Sequence, residues 1–279
     1  MMSVNLNQLF ATFIHALHIL HNNAVLDAYG HLSVRNPNND STFFMSRNMA
    51  PGLVSSPSDI VEYYVADASP VDPDAPGGFI ERYIHSEIYK RFPGIGAVVH
   101  SHSPAVIPYS ISDVPLKSSI HMAGFLGTRV PVFDISRYYA SNDSQDLLVR
   151  NVRLGAALAA EFSAGEEKDK EKDKDKEDLP DYSVALMRSH GFTVCTTSIE
   201  SAVFQAVYTQ LNARVQSDAL AIERAYAGSG AGPDDGLVYL TARQAEDSYA
   251  TNAGTVQRPW DLWVREVKVS PLYVNALDL

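Results

Sequence analysis

The stretch Ala97-Val-Val-His-Ser-His-Ser-Pro104 places two histidines one residue apart at the end of an apolar run. Successive side chains of a strand point to opposite faces, so His100 and His102 share a face and can share one ion, while Ser101 points away. A third histidine, His190 in Met187-Arg-Ser-His-Gly-Phe192, also closes an apolar segment and is followed by a turn glycine. Three imidazoles at strand ends along one edge are the ligand set of a catalytic zinc site, in which the fourth position stays open. Glu81 begins the segment just before the His-x-His strand. A carboxylate near a cation can act as a displaceable ligand and, once substrate takes its place, as general acid and base. Each residue also has a plain structural use. Histidines can close a strand, and a glutamate at a helix start is favoured by the helix dipole.

These side chains need elements to position them. Residues 6–28 carry apolar side chains at helical spacing and predict an opening amphipathic helix. His15, His18 and His21 lie on it at i, i+3 and i+6 without carboxylate company, which assigns them to packing or surface. Strands are expected at 31–35, 42–46 and 61–66, the first two separated by the polar turn 36–40. A helix over 80–91 stops at Phe92-Pro93-Gly94 and leads into a strand over 95–100. A strand at 130–134, a helix over 145–162 and a strand over 183–187 follow. A helix over 198–225 carries Ala202, Val203, Ala206, Val207 and Leu211 on its apolar side. The tail, 240–267, reads as helical, with Trp260 and Trp263 as packing anchors. Residues 166–178 are all charged and have nothing to bury, so 164–180 is expected to be a solvated insertion within one domain spanning 1–279.

Composition narrows the partners. At 279 residues and 46% hydrophobic the chain can bury a substantial core. Its net charge of -11 argues against general affinity for phosphate backbones or anionic membranes and favours small molecules. The single cysteine, Cys195, has no internal disulfide partner, as expected in a reducing cytoplasm. The N-terminal stretch lacks the pattern of a signal peptide, and no apolar run approaches bilayer length.

Four motifs together carry a resemblance: Gly30-His-Leu-Ser-Val-Arg35, Glu81-Arg-Tyr-Ile-His85, Ala97-Val-Val-His-Ser-His102 and Ser189-His-Gly191. Through them the chain resembles the class II aldolase/adducin family over nearly its whole length. The resemblance implies a three-layer α/β/α fold around a central mixed, mainly antiparallel sheet, assembled as a homotetramer with active sites near subunit interfaces. It implies that His100, His102 and His190 hold a divalent metal, most simply zinc with iron(II) or manganese(II) as alternatives, and that Glu81 transfers protons. Adducin-like members share the fold without the enzyme site, whereas all four residues are retained here.

Departures from the family pattern point to the substrate. Gly30-His31 stands where the phosphate-binding aldolases have Gly-Asn, and Phe79-Ile80 where they have Ser-Ser. An apolar pair offers no hydroxyl donors to a dianion, so a non-phosphorylated substrate is expected. His31, Ser46, Tyr109 and His121 are the candidate substrate contacts, His31 and His121 toward a carboxylate or phenol. The His-Ser-His-Ser-Pro and His121-Met-Ala-Gly-Phe125 stretches look closest to members acting on aromatic or carboxylated substrates, including decarboxylases. The expected activity is metal-dependent carbon–carbon cleavage through a metal-stabilised enolate. Glu81 would move the proton, with Tyr109, Tyr138 or Tyr139 protonating the leaving part. The alternatives are an iron(II) oxygenase on the same site and a non-catalytic adducin-like interaction protein.

Overall fold

A computed structural model describes residues 4–164, 178–227 and 236–278. The charged run falls outside the described residues apart from Asp178. Its two flanks are tied together, since Tyr182 N–H donates to the Phe162 carbonyl at 3.1 Å and Ala164 N–H to the Asp181 carboxylate at 2.8 Å.

Seven strands form one sheet: β1 (His31–Arg35), β2 (Thr42–Ser46), β3 (Ile60–Tyr64), β4 (Ala97–Ser101), β5 (Val132–Phe133), β6 (Val184–Met187) and β7 (Gly191–Thr196). Their spatial order is β3-β2-β1-β4-β7-β6-β5. All pairings are antiparallel except that of β5 with β6, so the sheet is mixed and mainly antiparallel, as expected. Strand β4 is central and buried along its whole length, which is why it reads as an apolar run and not as an alternating one.

Helices cover both faces. On one, α1 (Leu6–Asn22), α5 (Ile199–Ala227) and α7 (Gln257–Lys268) pack over Leu32, Val34, Val99 and Val194. On the other, α2 (Arg82–Arg91) and α4 (Val152–Ala160) pack over Phe43, Met45, Val98 and Cys195. The short α3 (Ile107–Ile111) follows β4, and α6 (Ala242–Ala253) precedes α7. Among the described residues no helix is long and apolar enough to cross a membrane.

Four expectations need correction. The opening helix ends at Asn22, because Ala24 adopts a left-handed φ of 54°. The helix expected over 145–162 begins only at Val152, where the Asn151 side chain caps it by accepting from Leu154 N–H. Residues 145–151 instead form an irregular strap with Leu147 at φ 68°. The tail is two helices broken after Ala253, and Leu211 faces outward while Ala202, Val203, Ala206 and Val207 are buried. Trp260 and Trp263 are buried in the core, as anticipated.

Candidate metal centre

The antiparallel pairing of β1 with β4 sets His31 directly across from His100. His102 lies just past the end of β4, and His190 occupies the tight turn joining β6 to β7. That turn is held open by Ser189 in a left-handed conformation (φ 58°), whose N–H donates to Ser110 Oγ at 3.1 Å. Gly191 is required there: a Cβ on it would lie 1.9 Å from the Ser101 carbonyl oxygen. Glu81 stands immediately before α2 but does not cap it; its carboxylate reaches into the site instead.

One ligand atom from each of Glu81, His100, His102 and His190 falls within 4.8 Å of the others. His100 Nε2 lies 3.1 Å from His102 Nε2, and Glu81 Oε2 lies 3.6 Å from His100 Nε2 and 3.4 Å from His190 Nε2. A tetrahedral site with bonds of about 2.0–2.1 Å has edges of roughly 3.3 Å.

Hydrogen bonding at the far sides of the rings fixes which nitrogens carry protons. His102 Nδ1 is 3.2 Å from Asp27 Oδ2, and a carboxylate only accepts, so the His102 proton sits on Nδ1 and its Nε2 presents a lone pair. The Thr193 hydroxyl donates to Met187 Sδ at 3.3 Å and therefore accepts from His100 Nδ1 at 3.3 Å. Two lone pairs thus face each other across 3.1 Å, an arrangement that a cation between them stabilises. His190 Nδ1 is buried without a hydrogen-bond partner.

Charges follow the same layout. Burial, reinforced by the neighbouring histidines, holds His100 well below the ordinary imidazole range, so it is neutral and available as a ligand. His190 is buried too, but the Glu81 carboxylate outweighs that and raises it. Burial alone would raise Asp27, yet the Tyr29 and Gly30 amides and His102 hold its carboxyl below its usual value. Glu81 Oε1 accepts the Val149 N–H at 2.9 Å, which fixes one carboxylate oxygen and leaves Oε2 facing the imidazoles.

The cluster opens onto a pocket of about 480 Å³ lined by Tyr29, His31, Asn48, Phe79, Leu147 and Ser189, among others. None of its lining residues is Lys or Arg, and Glu81 and Asp146 add negative charge. Phe79 packs 4.8 Å from the His31 ring.

Of the expected site residues, the structure brings together Glu81, His100, His102, His190 and His31. It places the others elsewhere. Tyr109 is buried on the opposite side of β4, its hydroxyl engaged by the Ala213 carbonyl at 3.0 Å and Ser217 at 2.9 Å. Tyr138 stacks on Phe133 at 5.5 Å, and Tyr139 uses its hydroxyl to accept the Leu147 N–H at 2.9 Å. His121 is exposed at the start of a 3-10 turn with its carbonyl bound by Asn252. Ser46 follows Met45, which pairs with Ser33, so it falls on the sheet face opposite His31, where its hydroxyl is buried without a partner. Three contributors escaped the sequence reading. Asp27 orients His102, Thr193 orients His100, and the Val149 amide holds Glu81. None has a local signal, because an irregular strap and a post-helix turn supply two of them.

Comparison with known proteins places this geometry. The profile of the Class II Aldolase and Adducin N-terminal domain matches residues 11–217. The decarboxylase tropJ of Talaromyces stipitatus is 50% identical over 264 residues, covering 95% of this chain and 96% of that protein. The 3,4-dihydroxyphthalate decarboxylase of Arthrobacter keyseri is 25% identical over 182 residues, 64% of each chain. Among solved structures, an aldolase II superfamily protein from Pseudomonas syringae superposes with a TM-score of 0.71 at 18% identity, covering 98% of this chain and 96% of the other. An L-fuculose 1-phosphate aldolase from Glaciozyma antarctica gives 0.66 at 18% identity, covering 96% and 92%. At that identity the two structures speak to fold alone.

Proposed function

The chain belongs to the class II aldolase and adducin family and is a lyase, and we propose that it decarboxylates a small, non-phosphorylated, hydroxylated aromatic or carbonyl carboxylate. The observation that carries this reading is the Glu81, His100, His102 and His190 cluster at the floor of a pocket with no Lys or Arg in its lining. A phosphorylated sugar needs cationic or hydroxyl donors for its dianion, and this pocket offers Phe79 and Ile80 where such donors would be needed. The two curated relatives described above are both named decarboxylases, and the substrate named for one is an aromatic acid with adjacent hydroxyls.

His100, His102 and His190 would hold a divalent ion, with Glu81 beside it. Bound there, the ion supplies Lewis acidity to a chelating substrate oxygen, so that the electrons left by carbon–carbon cleavage are accommodated. Three imidazoles support zinc as the ion, with iron(II) or manganese(II) accepted by the same donor set. Glu81 Oε2 takes the proton of the substrate hydroxyl while Oε1 stays anchored on the Val149 amide. The bond to the carboxyl carbon breaks, carbon dioxide leaves, and its electron pair remains on the substrate. Glu81 then returns its proton to that carbon, which closes the proton balance. A homotetrameric assembly and a cytoplasmic location belong to the same proposal, supported by family membership.

Glu81→Gln tests the assignment. The variant should retain its metal and lose about 100-fold or more in kcat for carbon dioxide release from a panel of ortho-hydroxylated aromatic acids. Full turnover in the variant would contradict the role.

A further inference from the structure

A buried polar chain runs behind the pocket, and the proposed reaction makes no use of it. It starts on α2 and ends at the pocket wall. Tyr89 Oη lies 2.7 Å from Ser33 Oγ, Ser33 Oγ lies 2.6 Å from His85 Nδ1, and His85 Nε2 lies 2.7 Å from His31 Nδ1. All four residues are buried. The sequence motifs contained His31, Ser33 and His85, with Tyr89 four residues beyond on the same helix, yet only His31 had an assigned use.

Counting protons gives the chain a direction. Tyr89 has one hydroxyl proton; its oxygen meets Ser33 Oγ at 2.7 Å and the Val98 backbone amide, which can only donate to it. If the bonds pointed away from the pocket, His31 would donate to His85, His85 to Ser33 and Ser33 to Tyr89. The Tyr89 proton would then be buried with no acceptor, which folded proteins avoid. Pointed toward the pocket, every group is satisfied. Tyr89 donates to Ser33, Ser33 donates to His85 Nδ1, and His85 Nε2–H donates to His31 Nδ1. The one proton of neutral His31 is left on Nε2. That atom makes no hydrogen bond among the described residues, and its ring lines the pocket beside the His100 ring.

We infer that Tyr89, Ser33 and His85 lock His31 in its Nε2–H tautomer, so that the pocket wall presents a fixed donor to a carboxylate oxygen of the substrate. Tyr89, Ser33 and His85 are positioning residues, because they reach substrate only through His31. The carboxylate half of the inference rests on the lyase reading; the tautomer half stands on hydrogen bonding alone. A donor locked in this way favours an anionic oxygen and disfavours a hydroxyl that needs an acceptor. It sets an uncharged N–H beside the apolar Phe79 ring, 4.8 Å away.

Nitrogen-15 NMR of the histidine-labelled full chain tests this. His31 is assigned by the signals lost in His31→Gln. In the wild type, long-range proton–nitrogen correlations should show a protonated Nε2 and a lone-pair Nδ1 for His31. Tyr89→Phe removes the group that sets the direction and should give His31 both tautomers, with benzoate, used as the carboxylate probe, binding about tenfold more weakly. Ser33→Ala interrupts the same chain at another point and should do likewise, which keeps the test available if one variant fails to fold. A wild-type His31 protonated on Nδ1, or unchanged His31 signals in both variants, would overturn the inference. A wild type with the Nε2–H tautomer that binds benzoate yet releases no carbon dioxide from hydroxylated aromatic acids would support the relay and overturn the proposed reaction.

Discussion

His102 shows how much of the centre depends on residues outside the ligand set. Its Nδ1 is anchored on Asp27, whose other oxygen accepts the Tyr29 and Gly30 amides at 2.8 Å each. A carboxylate in that position fixes the tautomer and orientation of the ring. Asp27→Ala should therefore weaken zinc binding about 10- to 100-fold in a chelator-competition titration while leaving the fold intact. Unchanged affinity would show that His102 is oriented by something else. The four ligand candidates were legible because His-x-His, Ser-His-Gly and the glutamate before a helix are local patterns. Asp27 was not, since it follows the opening helix in a turn and acts across 75 residues of sequence. The tyrosines show the converse. A hydroxyl near the right place in sequence looks like an acid, but Tyr109 and Tyr139 spend theirs on the helix α5 and on the strap residue Leu147.

At the scale of elements, hydrophobic periodicity located nearly every helix and strand but misjudged where they stop. Val25 and Leu26 continue the apolar pattern past the end of α1 although the backbone has already turned, and both are buried as loop residues. The strap before α4 continues the apolar character of that helix in sequence, whereas tertiary demand recruits its Val149 amide to Glu81. The turn between β6 and β7 is the most constrained element of the site. Adding a methyl group at Gly191 would drive the Ser101 carbonyl and the turn that carries His190 apart. Gly191→Ala should destabilise the protein by about 2 kcal/mol or more, read from the denaturation midpoint, and should weaken metal binding with it. A neutral effect on both would mean that β4 and β7 can separate without disturbing the centre.

The whole molecule is closed by its C-terminal segment, which covers the histidine face of α1. His15 contacts Asp278 at 3.0 Å, and His21 Nδ1 lies 2.8 Å from the Tyr273 hydroxyl. His18 Nε2–H donates to the Val54 carbonyl at 2.8 Å and its ring stacks on Tyr273. These three histidines, read as packing or surface residues, are packing residues, but nothing in their spacing shows that a segment about 250 residues later covers them. Burial, partly offset by the Val54 carbonyl, lowers His18 to about 4. The unfolded chain, with an ordinary imidazole near 6.5, binds the proton more readily, so the stability that neutral His18 contributes is full above pH 6.5. It is lost as pH falls from about 6.5 toward 4. Between pH 7 and 4.5 the wild type should lose about 2–3 kcal/mol more than His18→Gln in urea denaturation. Parallel pH profiles would contradict that assignment.

The central claim, that the clustered imidazoles and Glu81 form a metal centre, is tested most directly by metal content per chain. It is measured by mass spectrometry on protein purified without contact with an affinity metal. About one divalent ion per wild-type chain, lost in His100→Ala, is the predicted result. A wild type that stays metal-free after incubation with zinc, manganese and ferrous iron would contradict it.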